Sequence, residues 1–369
     1  MAMFKTIFDL RNWAGVPFHF WSVTLFVFGC MIGSFLNVCI HRLPLGQSIV
    51  SPPSHCPGCK YSIPWYLNIP LVTWLYLRGK CRNCGAPISV RYFLVELLTG
   101  VEFLCCWLVF GERSAALALV YGFFLAGLIV ATFIDFEHFI IPDEITIGGT
   151  VAGFVCSLFV PALFPGFSLS GVVLQSVLGI LVGGGLIYMV VRLGKLLFGR
   201  RTVALPAGSK IIFTDTALMV GEEETPYGEL LYRQSDTIKL HARTLELVDR
   251  CYREVDVRLS RTRLRIGSEE FDPESVPYME AVSEEIVLPR EAMGLGDVKF
   301  MAAIGAFLGW KAVFFSLMAS SLIGSVAGLT LILFGKQEWS ARLPYGPYIA
   351  LAAAIWVFAG RQIVGLLGW

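Results

Sequence analysis

Charge is scarce in this chain. Only 15% of its 369 residues are Asp, Glu, Lys or Arg, whereas a soluble globular chain carries about 25%. Most of the chain is therefore not a water-exposed globule. The net charge is +1, which argues against a polyanion partner, and no basic tract reads as a nucleic-acid-binding arm. A GxGxxG phosphate loop is also missing. GVEFLCC and GILVGGG lie inside apolar runs and read as packing glycines. No small-residue cleavage pattern precedes the polar segment after the first apolar run, so that run is not read as a cleavable signal. The apolar runs show no internal repeat of the kind that marks many transporters.

Apolar sequence fills the space that charge leaves. Hydrophobic residues make up 56% of the chain. Runs near bilayer length recur at 21–40, 93–110, 115–134, 144–163, 169–191, 294–310, 313–334 and 345–367. The expected fold is thus a polytopic α-helical membrane protein of about eight spans. Two polar segments interrupt it, 41–92 and 201–290. The Lys/Arg content of His41–Tyr92 and of RLGKLLFGRR at 192–201 places both in the cytoplasm. GERS at 111–114 and PGFS at 165–168 are the short loops of the other parity. Lys5 and Arg11 in the N-terminal segment oppose this orientation mildly. The expected domains are 1–40 with the first span, 41–92, spans two to five in 93–200, the insert 201–290, and the last spans in 291–369.

The segment 41–92 carries two cysteine pairs, Cys56/Cys59 and Cys81/Cys84, separated by 21 residues. Each CxxC turn offers two thiolates, and four thiolates make a closed tetrahedral zinc site. A reducing cytoplasm disfavours disulfides. Gly58 and Gly85 are the expected turn residues. Cys30, Cys39, Cys105, Cys106 and Cys156 read as small hydrophobes. The insert holds more than half of the chain's charged residues. IIFTDTALMV, TIKLHARTLEL and CYREVDVRLSRTRLRIG alternate with period two, so a small soluble β-rich domain is expected. Its one cysteine, Cys251, lacks a partner at metal-ligand spacing.

Aspartates are the costly residues. Asp135 ends the third run in VATFIDFEHFIIPDEITIGG, and Asp297 begins the sixth in GLGDVKF. Both fall on the cytoplasmic side. Two carboxylates facing one another across a wet cavity share a proton; one activates water while the other protonates a leaving group. An interfacial helix boundary is the plainer reading of either residue alone. Asp143 competes for the first position, but it follows Pro142 and is placed to cap the fourth helix. Proton-coupled transport and a partner-binding scaffold are the other classes that intramembrane acids allow.

GSFLNVCIHRLP at 33–44, the two CxxC pairs, WYLNIPLVTWLYLRGKCRNCGAPIS, RYFLVELLTG at 91–100, IDFEHFIIPDEIT at 134–146 and EAMGLGDVKFMAAIGAFLGW at 291–310 stand in this order. Together they resemble the bacterial type IV prepilin peptidases, which are leader peptidase/N-methyltransferases. The resemblance covers most of the chain from about residue 20, except the insert. It implies a GxGD-type intramembrane aspartyl protease of the bacterial inner membrane, with its site facing the cytoplasm. Asp135 and Asp297 become the catalytic pair, and Gly294 and Gly296 shape the bend that presents Asp297. Lys299 stays at the interface or holds the pair. The implied substrates are prepilins or type II secretion pseudopilins, cut after a glycine that ends a basic leader. The implied second activity methylates the new N-terminus from S-adenosylmethionine. Asn37 and Glu96, near span ends, are the candidate residues for that donor, with helix-junction roles as the alternative.

Overall fold

The computed structural model describes residues 18–368 apart from 199, 207, 222, 232–235, 290–293 and 335–342. The N-terminal segment before residue 18 and the EAM of EAMGLGD lie outside the described residues. The chain divides into two compact units, residues 189–293 and the remainder.

The larger unit is helical. Its long helices are α1 (Phe18–Arg42), α2 (Val90–Phe110), α3 (Ala115–His138), α4 (Asp143–Phe159), the first part of α5 (Leu169–Phe198), whose residues from 189 onward count with the smaller unit, α6 (Leu295–Leu333) and α7 (Gly346–Leu367). Five of them, α1, α2, α3, α5 and α6, are long and apolar enough to cross a membrane. This is a multi-pass membrane protein. α3 is apolar on every side, and 61% of its apolar window is buried, against 28–44% for the other four. A helix without a polar face belongs inside a bundle, so α3 is the central one. Leu36 and Ile40 of α1, Val95 and Phe103 of α2, and Val130 and Ile134 of α3 form one cluster. The Phe103 ring meets Phe28 and Phe123 edge-on.

The expected runs 294–310 and 313–334 form one element. α6 spans 39 residues, interrupted at Gly309 with φ 79° and ψ 175°. That conformation is open to glycine and strained for other residues. The stretch before Gly309 is about 21 Å long and the stretch after it about 36 Å. α5 approaches the first stretch closely. A Cβ on Gly305 would lie 2.0 Å from the Gly179 carbonyl oxygen, and one on Gly179 would lie 1.9 Å from that of Gly305. Only paired glycines allow the two backbones so near. Ser176 Oγ adds a hydrogen bond to the Ala306 carbonyl at 2.9 Å.

The smaller unit is β-rich, as the alternation predicts. Among the described residues its ten strands are β1 (Arg200–Ala204), β2 (Lys210–Phe213), β3 (Ala217–Val220), β4 (Glu223–Pro226), β5 (Thr237–Leu247), β6 (Cys251–Ser260), β7 (Leu264–Ile266), β8 (Glu269–Phe271), β9 (Met279–Val282) and β10 (Glu285–Pro289). The order is β4-β3-β2-β9-β5-β6-β7-β8, with every pairing antiparallel. β5 forks the sheet. Along one edge it pairs β6; along the other it pairs β10 at Lys239 and Leu240, then β9 from Thr244 to Leu247. The buried positions shift phase at the fork, from Ile238, Leu240 and Ala242 to Leu245. Opposite the shift, Glu254 takes φ 49° while the β5–β6 register stays the same on either side. β1 pairs β10 from Arg200–Pro289 to Ala204–Glu285. The domain therefore enters and leaves on neighbouring strands.

Candidate active site and metal centre

Asp135 sits in the last turn of α3. Phe139 ends that helix in the left-handed region, with φ 55°, and its N–H closes on the Asp135 carbonyl at 3.0 Å. Pro142 then runs extended before α4 starts at Asp143. The Asp135 side chain is buried. Its Oδ2 accepts a 2.8 Å hydrogen bond from the N–H of Gly346. Gly346 is the first residue of α7, where backbone N–H groups have no partner within the helix and favour an anion. The approach requires glycine: a Cβ there would lie 2.8 Å from Asp135 Oδ2 and 3.1 Å from Ile141 Cδ1. The preceding residue is tethered as well. The Tyr345 hydroxyl lies 3.0 Å from Ser320 Oγ and 2.9 Å from Ser321 Oγ, both on α6.

Asp297 lies in the first turn of α6. Its Oδ2 accepts the Gly294 N–H at 3.2 Å and so caps its own helix. An acidic first turn also suits the positive end of the helix dipole. Gly294 is the extended N-cap at which α6 begins, and a separate break in α6 falls at Gly309. Gly294 supplies the capping N–H. A Cβ on Gly296 would sit 3.6 Å from the backbone of Ile141. Ile141 thus packs beside both Gly296 and Gly346, which brings the starts of α6 and α7 together next to the end of α3. Lys299 does not hold Asp135 or Asp297. Its Nζ donates to Asp143 Oδ1 at 2.7 Å, with both side chains largely exposed. Asp143 is therefore a surface ion-pair partner at the start of α4, and Asp135 is the buried acid.

Cys56, Cys59, Cys81 and Cys84 converge, with all four sulfurs within 4.8 Å of one another. Cys56 Sγ and Cys84 Sγ are 3.8 Å apart. A tetrahedron with Zn–S bonds of about 2.3 Å has edges of about 3.8 Å, so the four sulfurs fit zinc. The two turns are alike. The Lys60 N–H returns to the Cys56 carbonyl and the Gly85 N–H to that of Cys81, each at 2.9 Å. Gly85 is left-handed as expected, but in the first turn the left-handed residue is Lys60, with φ 58°, and not Gly58. Asn83 Nδ2 and the Tyr61 N–H hold the Cys59 thiol down to about 6. The N–H groups of Cys84 and Asn83 lower Cys81. Cys84 goes the other way: the Ala86 N–H favours its thiolate, but the Cys59, Cys81 and Cys56 sulfurs outweigh it and push the thiol up to about 11. Four thiols this close resist joint ionisation, and a dication removes that repulsion.

Asn37 and Glu96 serve a junction. Asn37 Nδ2 donates to the Tyr92 carbonyl at 3.1 Å and to that of Gly33 at 3.3 Å, tying α1 to the first turn of α2. Glu96 Oε2 accepts the Leu71 N–H at 2.8 Å. The Asn37 carbonyl oxygen lacks a partner. Arg91 pairs with Glu137 and joins the start of α2 to the end of α3, two residues beyond Asp135.

The residue that sequence reasoning misses is Gly346. Its local signal is PYGP at 344–347, a proline-flanked glycine at the mouth of an apolar run.

Two family profiles match. One, described as the bacterial peptidase A24 N-terminal domain, covers residues 27–110, which hold α1, the four cysteines and α2. The other, the type IV leader peptidase family, covers residues 277–329 and includes Asp297. A prepilin leader peptidase/N-methyltransferase of Myxococcus xanthus is 53% identical over 135 residues, 36% of this chain and 39% of that protein. One of Aeromonas hydrophila is 28% identical over 374 residues, 95% of this chain and 94% of that protein. A type 4 prepilin-like proteins leader peptide-processing enzyme of Escherichia coli is 42% identical over 147 residues, 35% of this chain and 54% of that protein. No solved structure matches. One profile lies on each side of residues 111–276 and relatives align along nearly the whole chain, so the chain is similar to the type IV leader peptidase family.

Proposed function

We propose that the protein is an intramembrane aspartyl endopeptidase that removes the basic leader from type IV prepilins or pseudopilins after a glycine. The observation that carries this reading is a buried Asp135 held by the N-terminal N–H of α7, with Asp297 in the first turn of α6 and Ile141 packed beside both helix starts. In this reading Asp135 and Asp297 share one proton. The ionised carboxylate takes a proton from water as its oxygen attacks the scissile carbonyl. The other carboxyl gives its proton to the leaving amine as the C–N bond breaks. The Gly346 N–H fixes the Asp135 oxygen, and Tyr345 on its two serines fixes Gly346. Asp143 and Lys299 take no chemical part.

The same reading sets the surroundings. The ends of α1 and α3 and the starts of α2, α4 and α6 share the cytoplasmic side of the inner membrane. The two stretches of α6 about Gly309 count as separate spans, which with the six other helices gives eight. The insert 201–290 is a spacer or regulatory domain with no part in the chemistry. The four cysteines hold structural zinc, which supplies a fold for the segment 41–92 and no step in cleavage. The relatives' names also carry N-methyltransferase activity, and we extend it to this chain with S-adenosylmethionine as donor. No residue step is derived for it, since Asn37 and Glu96 are engaged at the junction.

Incubation of the purified protein with a prepilin, with and without S-adenosylmethionine, tests the proposal by mass spectrometry of the new N-terminus. The expected product starts after the leader glycine and gains one methyl group when the donor is present. An intact prepilin under both conditions contradicts the reading.

A further inference from the structure

The stretch between the two cysteine pairs is unusual for a polar loop. Trp65, Tyr66, Ile69, Val72, Leu75 and Tyr76 are all exposed, Trp65 by 82% and Tyr76 by 77%. Six large apolar side chains within one short stretch are more than scattered surface residues. Their depth is set by α2. The Leu71 N–H reaches the Glu96 carboxylate, and Glu96 lies about 8 Å along the helix from Arg91, the residue that pairs with Glu137 at the helix ends. At that level α2 also exposes Leu94 and Leu98, the side of a membrane-spanning helix that meets lipid. The chain at Leu71 therefore dips beside α2 instead of staying above it.

The dip is held against strain. Leu71 has φ 61° and ψ −51°, and the Val72 N–H closes on the Pro70 carbonyl at 2.6 Å. This is a γ-turn of positive φ, a rare and strained geometry. A buried carboxylate bonded to its central N–H keeps it in place. Exposed Lys60, Arg78, Lys80 and Arg82 flank the apolar stretch in sequence. Tryptophan and tyrosine beside lysine and arginine is the composition of a membrane interface.

We propose that residues 65–76 form an interfacial element seated in the headgroup layer of the protein's own membrane, with its aromatic and aliphatic side chains at the acyl boundary and the flanking cations on anionic lipid. The four-cysteine centre is thereby held down on the leaflet from both sides of that element. The inference rests on the membrane embedding alone, not on the peptidase reading.

The test uses the full chain in vesicles of three parts phosphatidylcholine to one of phosphatidylglycerol, with the phosphatidylcholine brominated high on the acyl chain. Tryptophan emission is compared between the wild type and Trp65→Phe, and the difference is the share of Trp65. Brominated lipid is expected to reduce that share by about twofold or more, and aqueous acrylamide, a neutral quencher, to leave it largely intact. Replacing phosphatidylglycerol by phosphatidylcholine is expected to raise acrylamide access. A Trp65 share quenched by acrylamide and indifferent to brominated lipid overturns the proposal. So does a share protected only when a prepilin peptide is added, which assigns the surface to substrate. Acrylamide access that does not change with phosphatidylglycerol removes the anionic-lipid contact. The side chain is exposed, so the variant is expected to fold; equal zinc content in the two proteins checks this.

Discussion

Replacing Gly346 by alanine perturbs the site by one methyl group. That Cβ would lie 2.8 Å from Asp135 Oδ2 and 3.2 Å from its Cγ, closer than a carbon and a carboxylate tolerate. The carboxylate, at the end of a short side chain, must move, and its 2.8 Å hydrogen bond from the Gly346 N–H lengthens or breaks. A hydrogen bond to a charged group is worth about 1.5–3 kcal/mol. At about 1.4 kcal/mol per factor of ten, kcat for leader cleavage should fall roughly 10- to 100-fold. KM should change little, because the contact is to the acid and not to substrate. Stability should hold: alanine in a helix is favoured over glycine by up to about 1 kcal/mol, and Gly346 has no positive φ to lose. The assay is steady-state cleavage of a prepilin with thermal unfolding measured in parallel. A variant with kcat within about threefold of wild type refutes the argument. So does a variant whose lost activity tracks lost folded protein.

Asp143→Asn breaks an exposed ion pair with Lys299, a contact worth about 0–1 kcal/mol; cleavage should stay within about fivefold, and total loss in a folded protein would return Asp143 to the chemistry. Cys84→Ser removes one of four converging sulfurs, so metal analysis should show a sharp drop in zinc and protease digestion should open the segment 41–92; retained zinc would contradict the four-thiolate centre. Replacing Val203–Glu285 by a flexible linker of about ten residues should leave cleavage within an order of magnitude, because β1 and β10 lie side by side and such a linker reaches about 17 Å. A stable, inserted but inactive product would make the domain part of the machinery.

What the sequence shows and what it hides divide by range. The cysteine pairs are legible because a thiolate turn needs only four adjacent residues. The β-rich insert is legible because Ile238, Leu240 and Ala242 alternate inward. Its shift of phase toward Leu245 is not, since that depends on which strand β5 meets on its far edge. Asp135 is preferred over Asp143 because it ends an apolar run, and the structure buries it while leaving Asp143 exposed. Gly346 is hidden because it is 211 residues from the acid it contacts, with only a proline-flanked turn to mark it. Lys60 is hidden because nothing in its type announces a left-handed residue beside a nearby glycine. Lys299 and Glu96 look like site residues by position, but their partners, Asp143 and the strained Leu71, come from other elements.

The central claim is that Asp135 and Asp297 act as one catalytic unit. It is tested most directly by Asp135→Asn and Asp297→Asn in the purified full chain, each assayed for prepilin cleavage by mass spectrometry beside zinc content and membrane insertion. An amide keeps the size of the carboxyl but cannot cycle a proton. Each variant is expected to insert and keep zinc yet release no leader, and the double variant to be no worse than either single one. Leader release near the wild-type rate by either single variant would contradict that claim.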